Sequence, residues 1–229
     1  MKYPNFSEER KLQKLGYKRI VGLDEAGRGA LSGPVVAAAV MIKNSFRISY
    51  FGFRISKLRD SKKLSQKQRE EFYKLIIQSP YIEWGIGRVS EKVIDRINIL
   101  EATKLAMKRA IDNLISNFQF PISKKTFLIL DGNMKLDLPI SQKSIVKADE
   151  KVMSCTTASV IAKVTRDRIM KRYNKKYPQY NFAQHKGYGT KEHFKMLKKY
   201  GPCKIHRQSF KPVKNLMGLT GRDCFLKIK

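Results

Sequence analysis

Acidic side chains are what this chain most lacks: 19 Asp and Glu stand against 48 Lys and Arg among 229 residues, leaving a formal charge of +29. Such an imbalance points to a polyanionic partner, because Lys and Arg release counterions when they neutralise phosphates. Cysteine is also sparse. Cys155, Cys203 and Cys224 are widely spaced with no pair at metal-ligand separation, so they read as reduced cytosolic thiols. No apolar stretch approaches the length of a membrane span, and Met1–Phe6 lacks the apolar centre of a signal peptide. The expectation is a soluble, cytoplasmic protein with no membrane partner, acting as a monomer.

What is present is an apolar fraction of 42%, enough for one sizeable α/β domain. Ser7 begins a helix with Glu8 and Glu9 in its first turn, and Gly16 can end it. Arg19 to Asp24 reads as a strand. After Pro34 the run Val35-Val36-Ala37-Ala38-Ala39-Val40-Met41-Ile42 suits a strand covered on both faces. Asn44 to Lys57 permits a short hairpin. Ser65 caps a helix to about Gln78, Tyr81 to Val89 is a third strand, and helical spacing covers Glu91 to about Leu114.

Thr126 to Leu130 gives a fourth strand and Ser144 to Val146 a short fifth. The helix after it, from about Val152 to Tyr173, carries Ala158, Ile161, Ala162, Thr165 and Ile169 on one face and Lys163, Arg166 and Asp167 on another. Strands alternating with helices predict a mixed-sheet α/β catalytic domain over residues 1–176. From Tyr177 the texture turns to Gly, Lys, His and aromatics, with a helix from Lys191 to Tyr200, predicting a small helical extension over 177–229 whose apolar content is too thin for a separate core. Between Lys163 and Lys229 there are 19 basic residues against Asp167, Glu192 and Asp223, which makes this third the expected nucleic-acid surface.

The few acids are not scattered evenly. Asp24 and Glu25 close the first apolar strand, Asp131 closes Leu128-Ile129-Leu130, and Asp149 follows Val146-Lys147-Ala148. Ligands of α/β sheets gather at strand ends, so these four can meet although they lie far apart in sequence. Carboxylates with little else form a hard-cation site suited to Mg²⁺ or Mn²⁺. Two such ions, roughly 4 Å apart, can activate water and stabilise the leaving oxygen of a phosphodiester. A metal-free route through the 2′-hydroxyl would want a histidine pair, and only His185, His193 and His206 exist. The Gly27-Arg28-Gly29 turn lets backbone approach a sugar-phosphate, with Arg28 able to meet a phosphate bidentately. Lys62 and Lys63 precede a helix as candidate phosphate contacts. A non-catalytic RNA-binding protein would explain the charge but not the converging acids.

Taken in order, Gly22-Leu23-Asp24-Glu25-Ala26-Gly27-Arg28-Gly29, Ser32-Gly33-Pro34, Asp60-Ser61-Lys62-Lys63-Leu64-Ser65, Asn98-Ile99, Asp131-Gly132, Ala162-Lys163-Val164, Arg166-Asp167-Arg168, His185-Lys186-Gly187-Tyr188 and Ile205-His206-Arg207 resemble the ribonuclease HII family along essentially the whole chain. The resemblance implies a ribonuclease H-like fold and endonucleolytic cleavage of the RNA strand of RNA/DNA hybrids. It also implies cleavage 5′ of single ribonucleotides in duplex DNA, leaving 3′-hydroxyl and 5′-phosphate ends. It assigns Asp24, Glu25, Asp131 and Asp149 to catalysis and metal binding. By the same resemblance Gly27, Arg28 and Gly29 sense the 2′-hydroxyl, Tyr188 stacks on the deoxyribose past the RNA-to-DNA junction, and Lys62 contacts phosphate near the scissile bond. The Asn44 to Lys57 segment looks longer than compact members need and is expected to touch the duplex.

Overall fold

The computed structural model describes residues 4–43, 64–119 and 123–219. Its centre is built from the most continuously apolar sequence. β1 (Arg19–Ala26) pairs antiparallel with β2 (Val35–Ile42), from Val21 opposite Met41 to Ala26 opposite Val36. β2 is buried from Val35 to Met41, as a strand covered on both faces should be. β3 (Ile82–Val89) lies on the far side of β2, and β4 (Thr126–Asp131) runs parallel to β1 with Leu23 level with Leu130. β5 (Ser141–Ile145) runs parallel to β4, so the described order is β3-β2-β1-β4-β5.

β5 starts three residues before the Ser144 that apolar content suggests. Its opening residues are polar, and pattern reading passes over them. Gln142 is accommodated because its side-chain amide donates to the Leu136 carbonyl at 2.9 Å and accepts from the Leu136 amide at 2.8 Å. An edge strand can hold such residues where a central one cannot.

Helices flank the sheet. α1 (Ser7–Lys14) has Glu8 and Glu9 in its first turn and Lys11 and Lys14 in its last, both favourable to the helix dipole. α2 (Gln66–Ile77) starts at a capping box: the Ser65 hydroxyl accepts from the Gln68 amide while the Gln68 side chain accepts from the Ser65 amide. α3 (Glu91–Phe118) is interrupted at Asn98, which has φ 67° and ψ 167°. α4 (Met153–Lys176) packs its first turn so closely on β1 that a Cβ on Gly22 would lie 2.5 Å from backbone atoms of Ser154 and Cys155. Arg166, expected on the polar face of this helix, is instead 1% exposed.

The described residues divide into two compact units. The first takes in those up to Ala26, from Val36 to Arg88 and from Lys104 to Val164; the second takes in Gly27–Val35, Val89–Thr103 and those from Thr165 onward. Within the first, Ala38, Val40, Ile76, Ile82, Ile161 and Val164 belong to one buried cluster. Within the second, Leu31, Met170, Tyr180, Phe182, Leu197, Ile205 and Val213 form another. The stretch from Tyr177 thus builds its core together with residues from other parts of the chain. It contains α5 (Phe182–His185), α6 (Lys191–Tyr200, as predicted) and α7 (Lys211–Leu219), the last not foreseen from sequence. No helix among the described residues is long and apolar enough to cross a membrane.

Candidate metal centre

Strand geometry delivers the acids. β1 and β4 are parallel neighbours, so Asp24 and Asp131 emerge at the same end of the sheet, one residue beyond the Leu23–Leu130 pair. After β5 the chain turns through Lys147, in the left-handed region at φ 59°, into a short 3₁₀ turn (Ala148–Glu150) that carries Asp149. One oxygen from each of Asp24, Asp131 and Asp149 lies within 4.8 Å of the other two.

Hydrogen bonds fix the carboxylates of Asp131 and Asp24 and the backbone that carries Asp149. The Ala148 amide donates to Asp131 Oδ1 at 2.6 Å. Glu25 donates its amide to Asp24 Oδ1 at 2.7 Å. Thr156 Oγ1 donates to the Asp149 carbonyl at 2.7 Å, tying the 3₁₀ turn to α4. Two turns further along that helix, Lys163 Nζ stands 3.8 Å from Asp149 Oδ2 and donates to Ser159 Oγ at 2.7 Å.

Asp24 is buried, and burial raises its carboxyl well above the usual range; the charges of Glu25 and Asp131 push the same way, against Lys163 and a hydrogen bond from Ser159. Concentrated negative charge of this kind suits a cation. Oxygens around one six-coordinate Mg²⁺ stand roughly 3 to 4.2 Å apart, from metal–oxygen distances of about 2.1 Å. The three aspartates, all oxygen donors, already lie within 4.8 Å of one another, so a side-chain adjustment of a few tenths of an ångström brings them to that spacing. Glu25 is not one of the three; alternation along β1 starts its side chain away from that of Asp24, although its charge still reaches Asp24.

The other residues singled out from sequence belong to the second unit or fall outside the described residues. Gly27, at φ +92°, turns the chain after β1, Arg28 is half-buried and Gly29 exposed. Tyr188 is 42% exposed, with the Arg166 guanidinium 5.2 Å from its ring centroid. Lys62 and the Asn44 to Lys57 segment fall outside the described residues. Sequence reasoning did not assign Lys163 and Ser159 to this centre; their i, i+4 spacing on α4 was the available signal. The three histidines are buried in the second unit, with Nε2 of His193 and His206 3.0 Å apart. Burial pushes the first down to about 4 and the second to about 3, so both are neutral at ordinary pH.

A mixed sheet of this order, flanked by helices and with aspartates converging at the ends of two parallel central strands, defines the ribonuclease H-like fold class. Comparison with known proteins narrows the class. The sequence model described as Ribonuclease HII matches residues 21–213, and the chain belongs to the ribonuclease HII family. It is 51% identical over 203 residues to the ribonuclease HII of Acetivibrio thermocellus, covering 88% of this chain and 73% of that one. Among solved structures, ribonuclease H2 from Pyrococcus horikoshii superposes with a TM-score of 0.67 at 24% identity, over 90% of this chain and all (100%) of that one. The ribonuclease HII in the PCNA complex from Archaeoglobus fulgidus gives a TM-score of 0.65 at 27% identity, over 86% of this chain and 96% of that one. This protein is accordingly an enzyme that hydrolyses RNA.

Proposed function

We propose that this enzyme is a metal-dependent endonuclease that hydrolyses the RNA strand of RNA/DNA hybrids and nicks duplex DNA on the 5′ side of single embedded ribonucleotides. The observation that carries the reading is the meeting of Asp24, Asp131 and Asp149 oxygens within 4.8 Å at the ends of parallel strands. These three, with Glu25 as the fourth, hold Mg²⁺ or Mn²⁺, two ions when substrate is bound. Divalent ions in such a site supply a water of lowered pKa and neutralise charge on the phosphate. Water oxygen attacks phosphorus, the bond to the upstream 3′-oxygen breaks, and the products carry a 3′-hydroxyl and a 5′-phosphate. The ribose 2′-hydroxyl is recognised rather than consumed.

The chain's own residues orient this chemistry. The Ala148 amide fixes Asp131, and Lys163 restrains Asp149 and Ser159. Gly27, Arg28 and Gly29 sense the 2′-hydroxyl, Tyr188 stacks on the sugar past the junction, and Lys62 meets a phosphate. The basic C-terminal third, with 19 Lys and Arg from residue 163 onward, grips the duplex. The role that follows is removal of ribonucleotides during replication and repair, by a monomer in the cytoplasm.

The test is a cleavage assay on duplex DNA containing one ribonucleotide. The wild type should nick 5′ of it with Mg²⁺ or Mn²⁺. Asp131→Asn and Asp24→Asn should still bind the duplex but lose about a hundredfold or more in rate, the upper scale for perturbed metal sites. Undiminished cleavage in EDTA would sink the metal mechanism.

A further inference from the structure

Among the described residues the two largest fully buried side chains are both arginines, Arg166 and Arg207, at 1% and 0% exposure. Buried cations need partners. Here the partners are backbone carbonyls of one short segment, residues 27–34. Arg207 donates from Nη2 to the Gly27 carbonyl at 2.6 Å, from Nη1 to Arg28 at 2.9 Å and from Nε to Gly33 at 3.0 Å. Arg166 donates from Nε to Pro34 at 3.0 Å and from Nη2 to Ser32 at 3.1 Å. Two guanidinium groups thus satisfy five carbonyls of the turn that follows β1.

We propose that Arg207, assisted by Arg166, is a positioning residue for ribose recognition: it fixes the peptide planes of the Gly27–Gly29 turn so that their amides are aimed before substrate arrives. This rests on the reading of that turn as the 2′-hydroxyl sensor. The physical step is peptide planarity. The carbonyl of one residue and the amide of the next point in opposite directions across a trans peptide. With the carbonyls of Gly27 and Arg28 drawn onto Arg207, the amides of Arg28 and Gly29 are turned away from it.

Sterics enforce the same arrangement. A Cβ on Gly27 would sit 1.9 Å from Arg166 Nε, so the turn can pass this close only as glycine, and φ +92° favours glycine independently. Arg166 also lies 5.2 Å from the Tyr188 ring centroid, linking the turn to the second proposed sugar contact. Burial, with the neighbouring Arg166, lowers Arg207 to about 9, so it keeps its proton at neutral pH. Lysine could hold the charge but not the fork: one ammonium cannot meet three carbonyls presented to a planar guanidinium.

The experiment compares two duplexes, one with a single ribonucleotide and one with a 2′-fluoro nucleotide at the same position, cleaved by the wild type, Arg207→Lys and Arg166→Lys. Melting temperature and the metal midpoint are followed in parallel. The wild type should cleave the ribonucleotide far faster than the fluoro analogue. In Arg207→Lys that preference should shrink by about tenfold, the scale of hydrogen bonds to a charged group, with the metal midpoint unchanged. Arg166→Lys should shrink it in the same direction and carries the test if Arg207→Lys melts below assay temperature. A merely structural role would lower both rates together and leave the preference intact, which would overturn the proposal while the sensor reading stands. A wild type indifferent to the 2′ substituent would instead remove the sensor reading itself.

Discussion

Asp24 is the residue at which sequence, burial and chemistry conflict most sharply. It closes a strand of apolar neighbours, is 4% exposed, and faces the charges of Glu25 and Asp131. Its carboxyl is therefore raised, burial being the leading cause, and the sign of the consequence is fixed. A carboxyl raised in the folded state contributes stability that is full below its unfolded value, near pH 3.9, and is lost as pH rises through the folded value. Measured against Asp24→Asn, in which the opposite pull of the buried histidines is the same, metal-stripped wild type should accordingly lose stability as pH is raised from about 4. Divalent ion should restore more at pH 8 than at pH 5. Asp24→Asn removes the titrating charge, so in EDTA at pH 8 it should melt above the wild type even as its activity falls. Thermal melts of both proteins with and without Mn²⁺ read this directly, and a variant melting below the wild type would refute it.

Among the elements, α3 carries a break that sequence periodicity reads through. Its apolar spacing is regular on both sides, yet Asn98 sits at φ 67° and ψ 167°, a region that only glycine enters easily. The side chain offsets part of the strain. Asn98 Oδ1 accepts from the amides of Leu100 at 2.9 Å and Glu101 at 3.1 Å, capping the helix that resumes after it. Asn98→Ala keeps the strained backbone and loses the cap, so it should destabilise by about 1 kcal/mol or more. Asn98→Gly loses the cap but relieves strain on the order of 1–3 kcal/mol, and should be close to neutral. Urea unfolding of the two variants distinguishes them; equal losses would mean that the cap alone matters. Ser65 was legible as a cap because Gln68 completes the box in the sequence itself. Asn98 was not, because nothing local announces a left-handed residue inside an apolar period.

On the scale of the whole molecule the governing quantity is charge. With +29 at neutral pH, binding to a duplex should be dominated by counterion release, so log affinity should fall linearly with log salt. Between 50 and 200 mM salt we expect a loss of about tenfold or more for the metal-site variant Asp131→Asn bound to an RNA/DNA hybrid. Fluorescence anisotropy measures it, and an affinity indifferent to salt would mean that the lysines serve only solubility. The sequence by itself determined the strands of the central sheet, because runs such as Val35–Ile42 are too apolar to lie anywhere else, and it marked the acids because carboxylates at strand ends are rare in so basic a chain. It also carried the family, through residues spread in order along its length. Only the tertiary structure decided which carboxylates meet, since parallel pairing of β1 with β4 puts Asp24 and Asp131 at one end while a left-handed residue after β5 swings Asp149 to join them. Tertiary structure alone likewise turned Arg166 and Arg207 from apparent surface charge into buried supports. A side chain that binds distant carbonyls leaves no periodic trace in sequence, and hydrogen bonds spanning more than 130 residues exist only once the chain has folded.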